Sequence, residues 1–205
     1  MTWRTIAPAA AVLATLAAGG CSDSGSMIEG GSTGRVQLVL GGSATQSATL
    51  GSTAALSDDR GRTIEAAVIT LSSVLARNLD GELVDVSVSL PMEVDLIDLI
   101  LGRTVELPIG ALPVDSYDQL VVVIRSLGVV LSDGTRIDVT PPGGGWTAIV
   151  RTEPFDVAEG TLTTVNLRFR ADRAFRWVED RLEFHPEFDA DVDDGDDDDH
   201  DDDDD

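Results

Sequence analysis

Short stretches in which every second residue is apolar run through most of this chain, and that period of two sets the fold class. In residues 84–90, Val84, Val86, Val88 and Leu90 alternate with Asp85, Ser87 and Ser89. Residues 165–170 repeat the pattern, with Val165, Leu167 and Phe169 set against Asn166, Arg168 and Arg170. Residues 120–124 (Leu-Val-Val-Val-Ile) form an unbroken apolar run of β-branched character, which suits a central strand covered on both faces. Asp133-Gly134 between residues 129–131 and 137–139 is a strong hairpin signal, and Asp80-Gly81 does the same between residues 64–77 and 83–90. Residues 141–145 (Pro-Pro-Gly-Gly-Gly) cannot sit inside a strand, and Gly160 marks a further turn.

Helical signals are scarce. Residues 95–101 (Asp-Leu-Ile-Asp-Leu-Ile-Leu) predict a turn or two of helix stopped by Gly102. Residues 173–183 are ambiguous: Phe175, Val178 and Leu182 suit a helix, whereas Phe175 and Trp177 suit a strand. Residues 35–188 suffice for one core, and regularly spaced turn signals predict a single all-β sandwich of seven to nine strands with at most one or two short helices.

Charge divides the chain further. The 205 residues carry 37 acids and 14 basic residues, all of them arginine, for a net charge of −23. Thirteen of the 17 residues in 189–205 are aspartate, while residues 35–188 hold 22 acids against 13 arginines, a charge of −9. The extreme acidity therefore belongs to a C-terminal tail with almost nothing to bury, expected to be disordered and extended by self-repulsion. A cationic face for phosphate is lacking, so nucleic acid is not an expected partner.

Residues 1–20 read as a leader. Arg4 supplies a charged start, residues 6–17 are apolar but too short to span a bilayer, and Ala18-Gly19-Gly20-Cys21 follows. This resembles a bacterial lipobox, in which the cysteine is lipidated and becomes the mature N-terminus. The single cysteine also excludes an internal disulfide framework. A multiply acylated Cys21 would exceed the two-signal threshold for stable anchoring. Ser22 behind it implies, by the same resemblance, delivery to the outer membrane of a Gram-negative cell. Residues 21–34 are rich in glycine and serine and read as a flexible tether. A formal Gly-x-Ser-x-Gly at Gly30-Gly31-Ser32-Thr33-Gly34 falls within it, without the strand, helix and histidine that a nucleophile elbow requires.

Four segments together resemble a family of bacterial lipoproteins that carries a domain of unknown function. They are residues 67–76 (AVITLSSVLA), 94–99 (VDLIDL), 112–117 (LPVDSY) running into 119–125 (QLVVVIR), and 155–169 (FDVAEGTLTTVNLRF). The resemblance covers roughly residues 35–191 and implies a prealbumin-like, Greek-key sandwich in the cell envelope, with no catalytic residues. The third segment also has a physical reading: a proline turn followed by a tyrosine marks a sheet corner where the hydroxyl bonds back to upstream backbone. Tyr117, the only tyrosine, is the candidate.

Candidate sites are few. Asp189, Asp191 and Asp193 before Asp194-Gly195 resemble a calcium loop, but glycine stands at the seventh position and His200 at the twelfth. No cofactor and no firm metal site are expected, with weak calcium binding by the tail as an alternative. His200 reads as solvated and His185 as structural. Asp95 and Asp98 form a possible carboxylate pair for which capping or exposure is the simpler reading. Trp146 and Trp177 could stack on sugar, although core packing is favoured for Trp146. Arg168, Arg170, Arg173 and Arg176 could dock an anion or fold against nearby acids. An acid-rich hydrolase would need two carboxylates converging in a cleft. The sequence therefore points to a non-enzymatic, lipid-anchored envelope protein presenting a sandwich for binding or structural work, with an envelope protein or a glycan as possible partner.

Overall fold

The structure, a computed structural model, describes residues 32–42, 56–86 and 89–193. The leader, Cys21, most of the tether, Ser87 and Val88, and the chain from Asp194 through His200 to Asp205 lie outside the described residues. Among those described, thirteen strands form two sheets and a hairpin, with two short helices.

The first sheet is built on β1 (Thr33–Gly42), which pairs in parallel with β10 (Leu162–Phe169); β10 carries β13 (Phe188–Asp193) on its other edge. Along the free side of β1 lie two short antiparallel strands, β5 (Val105–Glu106) and β6 (Gly110–Pro113). The second sheet is built on β2 (Ile64–Asn78) and β7 (Asp115–Leu131), paired antiparallel along nearly their whole lengths. β3 (Leu83–Asp85) and β4 (Met92–Asp95) share the outer side of β2. β8 (Arg136–Val139) and β9 (Trp146–Val157) share the outer side of β7. Each sheet is thus four positions wide, eight positions in all. The count reaches thirteen because three edge positions are split in two, with β11 (Phe175–Val178) and β12 (Arg181–Phe184) added as a separate hairpin.

Proline explains the splits. Pro91 lies between β3 and β4, Pro108 between β5 and β6, and Pro141-Pro142 between β8 and β9. Proline has no N–H to give the ladder, so a strand containing it is confined to an edge or interrupted. The alternation in residues 84–90 is accordingly a strand only over Leu83–Asp85.

The inner faces of both sheets share one core. Val36, Leu38 and Leu40 of β1 meet Ile69, Leu71 and Val74 of β2 and Leu120, Val122 and Ile124 of β7 in a single buried cluster. In residues 120–124, Leu120, Val122 and Ile124 join that cluster, while Val121 and Val123 lie on the outer face, where Val121 is paired with the exposed Ile149. The expected run covered on both faces is covered by a second layer on its inner face only. At one end of the core Tyr117 stacks on Phe155 with ring centroids 5.8 Å apart. At the other, Phe188, Phe169, Phe175, Phe184 and Trp146 form a continuous chain of ring contacts with centroids 5.1–6.1 Å apart.

That aromatic chain resolves the ambiguous stretch. A single helical turn, α2 (Ala171–Ala174), ends as Phe175 turns inward, and the chain continues as a hairpin. Glu179 and Asp180 both have positive φ (53° and 64°), the geometry that matches the twist of paired strands. The helix expected near residue 95 is α1 (Leu96–Ile100): Asp95 caps it by accepting from the Ile97 N–H at 2.9 Å, and Gly102 ends it at φ 89°. The Asp95 carboxylate also accepts from the Ala67 N–H at 3.2 Å, and Asp98 pairs with Arg103 at 3.0 Å, so both acids are structural.

Between β6 and β7 the chain passes from one sheet to the other. The buried Tyr117 hydroxyl donates to the Pro113 carbonyl at 2.9 Å, closing the corner as the sequence predicts. Burial, with Asp115 and Glu82 nearby, pushes its pKa up to about 12. Ahead of β2, Asp58 accepts from the backbone N–H groups of Arg60 and Arg62 and from the Arg62 guanidinium, which also reaches Asp133 in the β7–β8 turn at 3.6 Å. Burial works to raise the Asp58 carboxyl, but these donors outweigh it and hold the group below the usual carboxylate range.

Two outcomes follow. Tyr117→Phe leaves the Pro113 carbonyl unpaired in the core and should cost about 1–3 kcal/mol in urea unfolding, without change in the far-ultraviolet spectrum. Because its folded pKa is depressed, Asp58 contributes stability that is complete above its unfolded value, about 3.9, and is lost as pH falls through the lower folded value. Asp58→Asn should therefore melt below the parent protein at neutral pH, with the gap closing below about pH 4.

Candidate functional site

Two regions gather chemistry-bearing side chains: the acidic edge strand and a groove beside the hairpin.

Alternate residues of β13 explain the edge strand. Phe188, Ala190 and Val192 pack on the core, leaving Asp189, Asp191 and Asp193 along the opposite face. The sandwich therefore runs to Asp193. The disordered tail expected from residue 189 can begin no earlier than residue 194, because the first aspartates alternate with residues the core can bury. In the register of β10, Arg168 stands opposite Asp189, Asn166 opposite Asp191 and Thr164 opposite Asp193. Arg170 reaches Asp189 at 2.8 Å and Asp172 at 3.3 Å, and Arg168 reaches Asp191 at 3.6 Å. Arg173 pairs with Glu187 at 2.7 Å. The hydrogen bonds that it donates to Asp172 and then to Asp189 hold the Arg170 guanidinium above even its ordinary high pKa.

This arrangement decides between two expectations. The arginine cluster folds against nearby acids at Arg168, Arg170 and Arg173, while Arg176 is exposed on β11 with Glu183 opposite it. The calcium candidates do not converge. Residues two apart on a strand stand about 6.5–7 Å apart, whereas oxygens around one calcium ion each lie about 2.3–2.6 Å from it. Among the described residues, no group of three or more His, Cys, Asp or Glu side chains could hold a metal ion.

The groove lies between β8 and the β11–β12 hairpin and encloses about 620 Å³. Trp146, Leu182 and Phe184 form its buried apolar floor, with Ile137, Val139 and Pro142 alongside. Asp138, Asp180, Arg181 and Glu183 supply charge around it, and His185 lines it as well. His185 is exposed, its Nε2 3.6 Å from a Glu183 carboxylate oxygen, while its backbone N–H donates to the Ala174 carbonyl at 2.8 Å. The expected structural histidine is thus fixed through its backbone and leaves its ring in solvent. Trp146 sits edge-on to Phe184 with centroids 5.1 Å apart and is 7% exposed, so packing takes the surface that sugar stacking would need. Trp177 lies on β11, partly buried, with its indole N–H lacking a hydrogen-bond partner.

Sequence reasoning did not find the groove. Its walls come from strands about forty residues apart, and the one local signal, Glu179-Asp180 as a two-residue turn, lies inside the ambiguous stretch. Ser32 of the formal Gly-x-Ser-x-Gly leads into β1, where its carbonyl accepts from the Val114 N–H at 2.9 Å. Strand pairing rather than a nucleophile turn is its setting. No family model matches the chain, and no curated protein and no solved structure matches it either.

If the arginines hold β13 in place, Arg170→Gln should speed amide exchange at residues 190–193 by about five- to tenfold, allowing for the part-exposed pair. Amides of β2 and β7 should be unaffected. Unchanged exchange on β13 would show that apolar packing alone retains the strand.

Proposed function

We propose that this protein is a lipid-anchored component of the bacterial cell envelope whose sandwich serves as a binding or structural module at the membrane surface. One observation carries the reading: the only cysteine stands directly behind a charged start, an apolar segment and Gly19-Gly20. Three acyl chains on Cys21 would make membrane association effectively permanent. The twelve residues from Cys21 to Thr33 reach at most about 40 Å, so the folded body would stay close to the bilayer. The reading is non-enzymatic, and the resemblance to envelope lipoproteins and Ser22 behind the cysteine both favour the outer membrane.

The fold supports the proposal through its two ends. Arg35 pairs with Leu162 where β1 and β10 begin, and Asp193 pairs with Thr164 two residues further along β10. The N-terminal and C-terminal segments therefore join the sandwich at the same end. The groove lies on the half containing the β11–β12 hairpin, which follows the far end of β10. A domain tethered in this way would keep that half available for a partner.

In a bacterial host fed an alkyne-bearing fatty acid, the protein should take up the label and partition into the detergent phase. Cys21→Ser should do neither and should remain in the aqueous phase. Equal partitioning of the two proteins would refute the anchor.

A further inference from the structure

Seven large apolar side chains are conspicuously exposed among the described residues, and four of them lie at the end where both termini join. Leu79 (60% exposed) lies in the β2–β3 turn, Leu83 (52%) begins β3, Val114 (46%) lies in the β6–β7 corner, and Leu162 (39%) begins β10. The register places all four there. Asn78 pairs with Tyr117 near the start of β7, Pro113 pairs with Thr33, and Leu162 pairs with Arg35. Val114 and Leu79 flank the junction directly: the Val114 N–H donates to Ser32 at 2.9 Å, and the Leu79 N–H donates to Ser116 at 3.1 Å. Isolated exposed leucines need no explanation, but this grouping around one chain junction asks for an occupant.

We infer that this end of the sandwich lies against the lipid bilayer, with Leu79, Leu83 and Val114 at the membrane interface. The inference rests on the anchor at Cys21. A lipidated Cys21 would hold Thr33 within about 40 Å of the bilayer, so the junction is the part of the domain whose distance from the bilayer the tether limits directly. Contact by the leucines would then be intramolecular in effect, and a weak apolar contact suffices when the anchor supplies a high local concentration of lipid. The charges at this end select the kind of surface. Asp80, Glu82, Asp115, Asp118, Asp156, Glu159 and Asp193 outnumber Arg35, Arg77 and Arg151, and ten further aspartates follow Asp193 in the sequence. An anionic bilayer would repel such an end, so the contact suits zwitterionic lipid.

The test uses the full-length, lipidated protein in phosphatidylcholine–phosphatidylethanolamine vesicles. In that protein the Cys21 sulfur is a thioether, so Leu79→Cys or Leu101→Cys adds the one thiol that a polarity-sensitive fluorophore can label. Leu101 is a matched control: it is 58% exposed and follows α1, which packs beside Gly42 at the opposite end, about 30 Å away along β1. The label at residue 79 should shift to the blue and be quenched by nitroxide lipid at least threefold more than the label at residue 101. Equal quenching on protein that floats with the vesicles would overturn the orientation and leave the anchor standing. Protein that fails to float would overturn the anchor and the orientation together.

Discussion

Leu120, Val122 and Ile124 can be fully buried only if strands lie to either side of them and a second sheet lies across their inward face. β7 supplies that arrangement. It pairs with β2 along one edge and with β9 and then β8 along the other, while its inward side chains meet those of β1. The chain enters β7 through the corner locked by Tyr117 and leaves it through the Asp133-Gly134 turn. Register along so long a strand matters, because a slip of one residue would turn every buried side chain outward. Tyr117 at one end and the Asp58–Arg62–Asp133 cluster at the other fix it at both limits.

With the centre fixed, the edges become the main structural problem, since each exposes unpaired backbone groups to other chains. Proline interrupts three of the edge positions and leaves short pieces there, apart from the twelve-residue β9. β13 is treated differently: its outward face is a row of aspartates, which discourages a further strand from adding. Those aspartates need counter-charges to stay on the sheet, and Arg168 and Arg170 on the neighbouring strand and the following turn provide them. The most acidic part of the chain thus begins as a working edge of the sandwich.

The same topology gives the molecule two unlike ends. Because β1 and β10 are parallel and β13 is antiparallel to β10, the chain begins and ends its folded course on one side. Four of the exposed apolar side chains collect there, while the aromatic chain and the groove occupy the other half. A lipid at Cys21 would turn this asymmetry into an orientation, with one end for attachment and the other for presentation.

Strands, turns, the short helix after Asp95 and the tyrosine corner were legible in the sequence because each depends on neighbouring residues: a period of two, a Gly or Pro at a turn, a cap three or four positions away. The lone cysteine behind an apolar segment was legible for the same reason, and it remains the strongest pointer to cellular role. Residues 173–183 were not legible, since Phe175 satisfies either periodicity and only its contacts with Phe169 and Phe184 choose between them. Nor could the sequence place Asp189 and Asp191 on a sheet edge, because an aspartate-rich run carries no local sign of the arginines about twenty residues earlier. Local pattern alone thus yields an all-β chain with a lone cysteine behind an apolar segment and an acidic end. The tertiary structure decided where the sandwich stops, which charges meet, where the groove opens and that both termini share one end, because each of these depends on contacts between residues far apart in the chain.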